Sequence, residues 1–195
     1  TLARTKRGCR TDTTSRPNHV LCAQMTMAGA RPLEVTLALV KPTVCAYVPD
    51  IVHAVRRIQT HPELNILRTK PIAWTKDDAA EFYAEHKGKF YYDRLVLGMS
   101  SGRSLALALS GPGAIQTWRG LIGPTKAYRT KWEAPDALRA QLGLGDTRNG
   151  FHGSDSTDNA LQELGFVFPE WDAASWLAAA REVRRNAPSP EPQHR

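Results

Sequence analysis

"EVTLALV", residues 34–40, is a short β-branched and apolar run that reads as a buried strand, ended at Lys41-Pro42. Working outward, "PDIVHAVRRIQTH" (49–61) places Ile51, Val52, Val55 and Ile58 at helical spacing behind Pro49, so a helix follows. "LNILRTKPIAW" (64–74) reads as a second strand. "TKDDAAEFYAEH" (75–86) opens on Thr75 as an N-cap with acids in the first turn, which suits the positive end of a helix dipole. "KFYYDRLVLGMSS" (89–101) continues as a second short helix.

The remainder repeats the same vocabulary. "RSLALALS" (103–110) is an apolar strand, and "GAIQTWRGLIG" (113–123) a helix closed by Gly123. A long polar loop leads to the short helix "APDALRAQLG" (134–143). "STDNALQELGF" (156–166) is a helix capped by Ser156 or Asp155. Strands alternating with helices predict an α/β or α+β sandwich, with helices packed on a small sheet, and favour a split βαβ arrangement such as the ferredoxin-like fold. "DAASWLAAAREVRRN" (172–186) forms an amphipathic helix with Trp176, Leu177, Ala180 and Val183 on one face, and "APSPEPQHR" trails off as a disordered tail.

At 195 residues, 42% hydrophobic and 23% charged, the chain has the length and composition of one globular domain with extensions. No window reaches the roughly 18 apolar residues of a membrane span, so no membrane partner is expected. The net charge of +7 is unevenly placed: residues 1–33 carry six basic residues against Asp12, residues 173–195 four against two acids, and residues 34–172 are balanced. A basic face for nucleic acid on the folded part is therefore not expected. Cys9, Cys22 and Cys45 lack any CxxC spacing, which fits a reducing compartment without structural zinc. Residues 1–33, rich in Arg, Ser and Thr with a single acid, read as a mitochondrial transit peptide or a disordered basic tail, with the cytoplasm as the alternative location. Thr, not Met, stands first, as in a chain that begins inside a longer product.

One segment suggests chemistry. "RNGFHGSDS" (148–156) sets His152 between glycines and small polar residues. Gly153 removes a Cβ and would let a ligand approach, and neutral imidazole is abundant near pH 7, so His152 is a candidate nucleophile. Such a ring needs an orienting partner, and Glu163 and Ser154 are near in sequence. A phosphoryl electrophile would need cations, for which Lys41, Arg119 and Arg139 are candidates. Each feature alone also has a structural explanation: a histidine on a turn, a lysine ending a strand, arginines at a helix end or on a solvated face. No HExxH, Asp-rich metal loop or GxxxxGK[ST] loop occurs, so metal-hydrolase and P-loop readings lack their parts, and no protein metal site is assigned.

"NGFHGSDS" resembles the NxxHGSDS active-site signature of the nucleoside diphosphate kinases, and other landmarks follow in that family's order: "TLALVKP", "MSSG", "WRGLIGPT" and "PDALRAQLG". The similarity runs from about 34 to 168, within a kinase domain placed at 34–172 and followed by the C-terminal helix and tail, 173–195. It implies a ferredoxin-like βαββαβ core that moves the γ-phosphate of ATP to a nucleoside diphosphate by a ping-pong route through a phosphohistidine, with Mg²⁺ on the nucleotide phosphates. Carried over, His152 is the nucleophile, oriented by Glu163 and Ser154. Lys41 contacts phosphate and ribose, and Tyr83 assists at the γ-phosphate. Arg119, Thr125 and Arg139 bind phosphates, Asn149 reaches the sugar hydroxyls, and Tyr91 stacks on the base.

Two departures, together with the stretch "EFYAEHKGKFYYDRL" (81–95), resemble a divergent, type-six-like branch. The loop from Thr125 to Arg139 is three residues longer than in common members, where it helps build a hexamer, so a homo-oligomer is expected but the hexamer is in doubt. "GDTRN" puts Asp146 where those members have an apolar residue opposite the base. The alternative reading is a low-activity scaffold or binding protein of the same fold.

Overall fold

The computed structural model describes residues 31–186. The readings of 1–30 as a basic extension and of 187–195 as a disordered tail lie outside them. Four strands, β1 (Leu33–Val40), β2 (Asn65–Ile72), β3 (Ser104–Pro112) and β4 (Phe151–Gly153), form one sheet in the order β2-β3-β1-β4. All three neighbouring pairs are antiparallel. This is the ferredoxin-like arrangement: the gap between β1 and β2 is filled by β3, and the gap between β3 and β4 by β1, so two split βαβ units interlock.

The first unit crosses over through α1 (Pro42–Cys45) and α2 (Val48–Gln59). Between β2 and β3 come α3 (Lys76–Phe82), a 3₁₀ turn (Ala84–His86) and α4 (Tyr92–Met99). The second unit crosses through α5 (Ala114–Ile122), α6 (Ala127–Glu133) and α7 (Leu138–Leu142). After β4 follow α8 (Thr157–Val167) and α9 (Ala173–Asn186).

Both faces of the sheet are covered, which is why β1 reads as an apolar run interrupted only by Thr36: every residue from Val35 to Val40 is fully buried. Side chains alternate across the pleat. Val35, Leu37 and Leu39 pack with Ala79, Met99, Leu164 and Leu177 from α3, α4, α8 and α9. Ala38 and Val40 pack on the opposite face with Ala54 and Ile58 of α2, Trp118 and Ile122 of α5, and Leu138 of α7. Edge strand β2 tolerates Pro71 because its missing N–H weakens no central ladder, and its pairing slips between Ile66 and Arg68.

Local signals explain several boundaries. Thr75 closes a capping box with Asp78 at the start of α3. At α8 the N-cap is Ser156, whose Oγ accepts the Asn159 N–H, while Asp155 instead accepts from Asn159 Nδ2.

The structure corrects the reading in three places. The polar loop after Gly123 contains α6, a helix with only Ala127 and Thr130 buried, too little apolar surface to show a period. The histidine segment is a strand rather than a turn. The predicted stripe on α9 also divides: Leu177 is buried, Trp176 packs beside it, and Val183 is 72% exposed.

Candidate active site

His152 is the middle residue of β4, paired with Leu39 of β1. Its neighbours Phe151 and Gly153 face α5, with Phe151 fully buried, so the pleat turns the imidazole to the other face. There it meets Phe82 edge to face at 5.2 Å and Glu163 of α8. Glu163 Oε1 lies 2.9 Å from His152 Nε2. A carboxylate only accepts, so it holds a proton on Nε2 and leaves the Nδ1 lone pair free. Glu163 Oε2 accepts the Ser154 hydroxyl at 2.5 Å, and Ser154 Oγ in turn accepts the Leu37 N–H at 3.1 Å. The ring orientation is thus tied through two side chains to the central strand.

Gly153 does not serve the ligand as the sequence suggested. A Cβ there would stand 2.5 Å from Cδ1 of Trp118, so the missing side chain admits the Trp118 indole, whose Nε1–H donates to the His152 carbonyl at 2.9 Å.

β4 is an edge strand, and side chains satisfy its carbonyls. Besides Trp118, Arg119 donates to the Gly153 carbonyl at 3.2 Å and Arg139 to that of Phe151 at 3.1 Å. A second Arg139 bond, 2.5 Å to the Gly123 carbonyl, fixes the guanidinium between α5 and α7. Arg139 Nε is buried and finds no partner among the described residues. Burial, then the nearby Arg119 charge, lowers its pKa to about 10, so it stays a cation at neutral pH.

Lys41 follows β1. Its N–H extends the pairing to the Gly150 carbonyl at 2.8 Å, and its Nζ donates to Asn149 Oδ1 at 3.0 Å. Gly150 has a φ of 80°, a left-handed conformation that glycine adopts without strain, and a Cβ there would strike Val44. Burial, and secondarily the positive Arg139, depresses the Lys41 pKa to about 7. Tyr83 is also buried, and its hydroxyl has no partner among the described residues. Burial and the negative Glu163 push the phenol far above its ordinary range, against a smaller opposing pull from Arg139. It therefore remains a hydrogen-bond donor.

A cleft of about 870 Å³ opens between α3–α4 and the α6–α7 side. It gathers Lys41, Tyr83, Tyr91, Arg119, Thr125, Arg139, Asn149, His152 and Glu163, nine of the ten residues singled out from sequence. Ser154 lies fully buried behind Glu163. The sequence reading missed other lining groups. His86 stacks on Tyr83 at 5.9 Å and meets Tyr91 edge-on at 5.7 Å. Arg94 follows Tyr91 by three residues, a helical spacing that could have flagged it. Phe90, Lys126 and Asp155 are among the further residues that line the cleft. Asn159, and more weakly Ser156 and Arg119, keep the Asp155 carboxyl below its usual range against a desolvation penalty. Among the described residues no group of three His, Cys, Asp or Glu side chains is placed to hold a metal ion.

A floor of buried cations, one imidazole with a free nitrogen and an aromatic mouth suit a polyphosphate joined to a flat ring system. Comparison with known proteins agrees. The family model described as nucleoside diphosphate kinase matches residues 34–173. The Xenopus tropicalis protein named nucleoside diphosphate kinase 6 is 44% identical over 158 residues, 81% of this chain and 88% of its own length. Its Homo sapiens namesake is 41% identical over 168 residues, 85% and 90% of the two chains. Among solved structures, the Aquifex aeolicus nucleoside diphosphate kinase superposes with a TM-score of 0.65 at 35% identity, covering 70% of this chain and 95% of its own. The Halobacterium salinarum nucleoside diphosphate kinase, solved with CDP, gives 0.63 at 31%, covering 74% and 97%. The chain belongs to the nucleoside diphosphate kinase family, in its divergent type-6-like branch.

Proposed function

We propose that this chain transfers the γ-phosphoryl group of a nucleoside triphosphate, ATP foremost, to a nucleoside diphosphate through a phosphohistidine at His152. The observation that carries the proposal is the fixed imidazole: Nε2 engaged by Glu163, which Ser154 anchors, and Nδ1 free in a cleft floored by cations.

In the first half-reaction the Nδ1 lone pair attacks the γ-phosphorus, the bond from phosphorus to the β,γ-bridging oxygen breaks, and the nucleoside diphosphate departs with that oxygen. In the second, a terminal β-phosphate oxygen of the acceptor attacks the same phosphorus, the N–P bond breaks, and the electron pair returns to Nδ1. Catalysis of such transfers rests on positioning and charge. Arg119 and Arg139, already held by main-chain carbonyls, and Thr125 meet the phosphates. Lys41 is charged by the incoming polyanion and, with Asn149, reaches phosphate and sugar. The Tyr83 hydroxyl donates to the transferred group. Mg²⁺ arrives as part of the nucleotide substrate, where it neutralises phosphate oxygens, and the protein needs no cage of its own. Tyr91 offers the base a stacking face.

Incubation with γ-labelled ATP is expected to leave acid-labile, base-stable phosphate on the protein, and none on His152→Ala. An unlabelled parent protein would refute the proposal. The composition of residues 1–33 supports a mitochondrial address.

A further inference from the structure

We infer that Phe82 is a positioning residue for the proposed transfer: its ring sets the plane of the His152 imidazole and keeps water in a groove between α3 and α8 away from the Nε2–Glu163 bond. The inference rests on the phosphohistidine reading of His152 and deepens it.

A hydrogen bond fixes one atom of a ring, not its plane. The last torsion of a histidine side chain has broad wells, so an imidazole tied only through Nε2 can still tilt about that bond. The Nδ1 lone pair lies in the ring plane, and a tilt turns it away from the phosphorus it must meet in line. The Glu163 contact therefore leaves part of the aim undetermined. Phe82, the last residue of α3, supplies the missing constraint: its ring stands 5.2 Å from the imidazole at 74°.

Phe82 is itself held in place. Trp74, just before the Thr75 cap of α3, lies 4.8 Å from it, Tyr83 5.1 Å and Phe166 5.8 Å. Trp74 and Phe166 also meet edge-on at 5.6 Å, which closes a triangle of rings. Phe166 follows Glu163 by three residues on α8, so one face of that helix carries both the carboxylate that bonds the imidazole and a ring that backs Phe82.

The cavities give the same side chain a second task. A groove of about 360 Å³ runs between α3 and α8, with Glu81, Phe82, Gln162, Glu163 and Phe166 among its walls. His152 lines the cleft and not this groove, whereas Phe82 lines the groove and not the cleft. The phenyl ring thus stands between groove water and the imidazole. Such water would compete with Glu163 for the Nε2 proton, and a hydrogen bond shielded from water is the stronger one.

The test compares the full-length parent with Phe82→Ala and Phe82→Leu. In rapid-quench labelling with γ-labelled ATP, Phe82→Ala is expected to lower the limiting rate about tenfold, a fraction of what a misplacement of about 1 Å can cost. The ATP concentration at half the limiting rate should stay within about twofold, because the lost contact touches no nucleotide. Phe82→Leu, which restores apolar bulk without the flat ring, should fall between parent and Phe82→Ala. NMR of the unphosphorylated, ¹⁵N-histidine-labelled protein at pH 8 adds a readout that needs no activity. His152 should be the Nε2–H tautomer in the parent and a mixture of both tautomers in Phe82→Ala. Should Phe82→Ala fail to fold, Phe82→Leu carries both measurements, with a slower limiting rate and mixed tautomers expected again. An unchanged limiting rate, a half-saturating concentration that rises as the rate falls, or a single tautomer throughout overturns the inference and leaves the kinase reading intact. A parent protein that accepts no label refutes the kinase reading, and the tautomers alone then decide the role of Phe82.

Discussion

A lysine pressed into the protein interior beside an arginine is an unusual place to keep a proton. Burial and the Arg139 charge hold the Lys41 pKa at about 7, so in the free protein near neutrality the amine is divided between its two forms. A bound diphosphate supplies the missing negative charge and raises that pKa. Binding above pH 7 must therefore take up a proton, and affinity must fall as pH rises through that range. Calorimetric titration with a nucleoside diphosphate at pH 8, in two buffers of different ionisation enthalpy, should give different heats. With Lys41→Arg the two heats should coincide, because a guanidinium remains charged. Buffer-independent heats in the parent protein would show that Lys41 does not change protonation on binding. Tyr83 complements this arrangement: its raised pKa keeps the hydroxyl a donor across the same pH range.

At the scale of elements, legibility followed apolar pattern. β1 and β3 were readable because both faces of the sheet are covered, and α2 because Ile51, Val52, Val55 and Ile58 repeat at helical spacing. α6 was invisible for the opposite reason. It is held by the Arg129–Glu133 pair and by the Thr130 hydroxyl on the Pro124 and Lys126 carbonyls, and it leaves Trp132 88% exposed. β4 is three residues long, shorter than any alternation can reveal, and its register with β1 is set by long-range pairing. The role of Gly153 was misread because the partner that needs the space, Trp118, lies 35 positions away in sequence. Of the cleft, the residues of the family motifs were legible, whereas His86 and Arg94 lie in a stretch (81–95) that points to a branch of the family without giving either a role. α9 carries its own prediction. Leu177 is 3% exposed against the face built by Val35 and Leu37, and Arg181 donates to the Leu33 carbonyl at 2.8 Å. Leu177→Ala should destabilise the fold by about 3 kcal/mol, measured by denaturant unfolding. An unchanged midpoint and slope would show that α9 adds nothing to the core.

Over the whole molecule, the sheet acts as the frame on which separate chain segments converge. The proposed nucleophile, His152, comes from edge strand β4, the Glu163 carboxylate that bonds it from α8 on one face, and the arginines from α5 and α7 on the other. Lys41 joins them directly after β1, so the cleft exists only when both split βαβ units are interlocked. The charge distribution fits this division: residues 34–172 are balanced overall, yet cations concentrate at the floor of the cleft, where a polyphosphate would lie. The proposed transfer turns on which imidazole nitrogen is free. Heteronuclear NMR of the ATP-treated, ¹⁵N-histidine-labelled protein reads this directly. Phosphate bonded to Nδ1 of His152, with Nε2 still protonated toward Glu163, is the predicted result, and phosphate on Nε2, or on another residue, would contradict it.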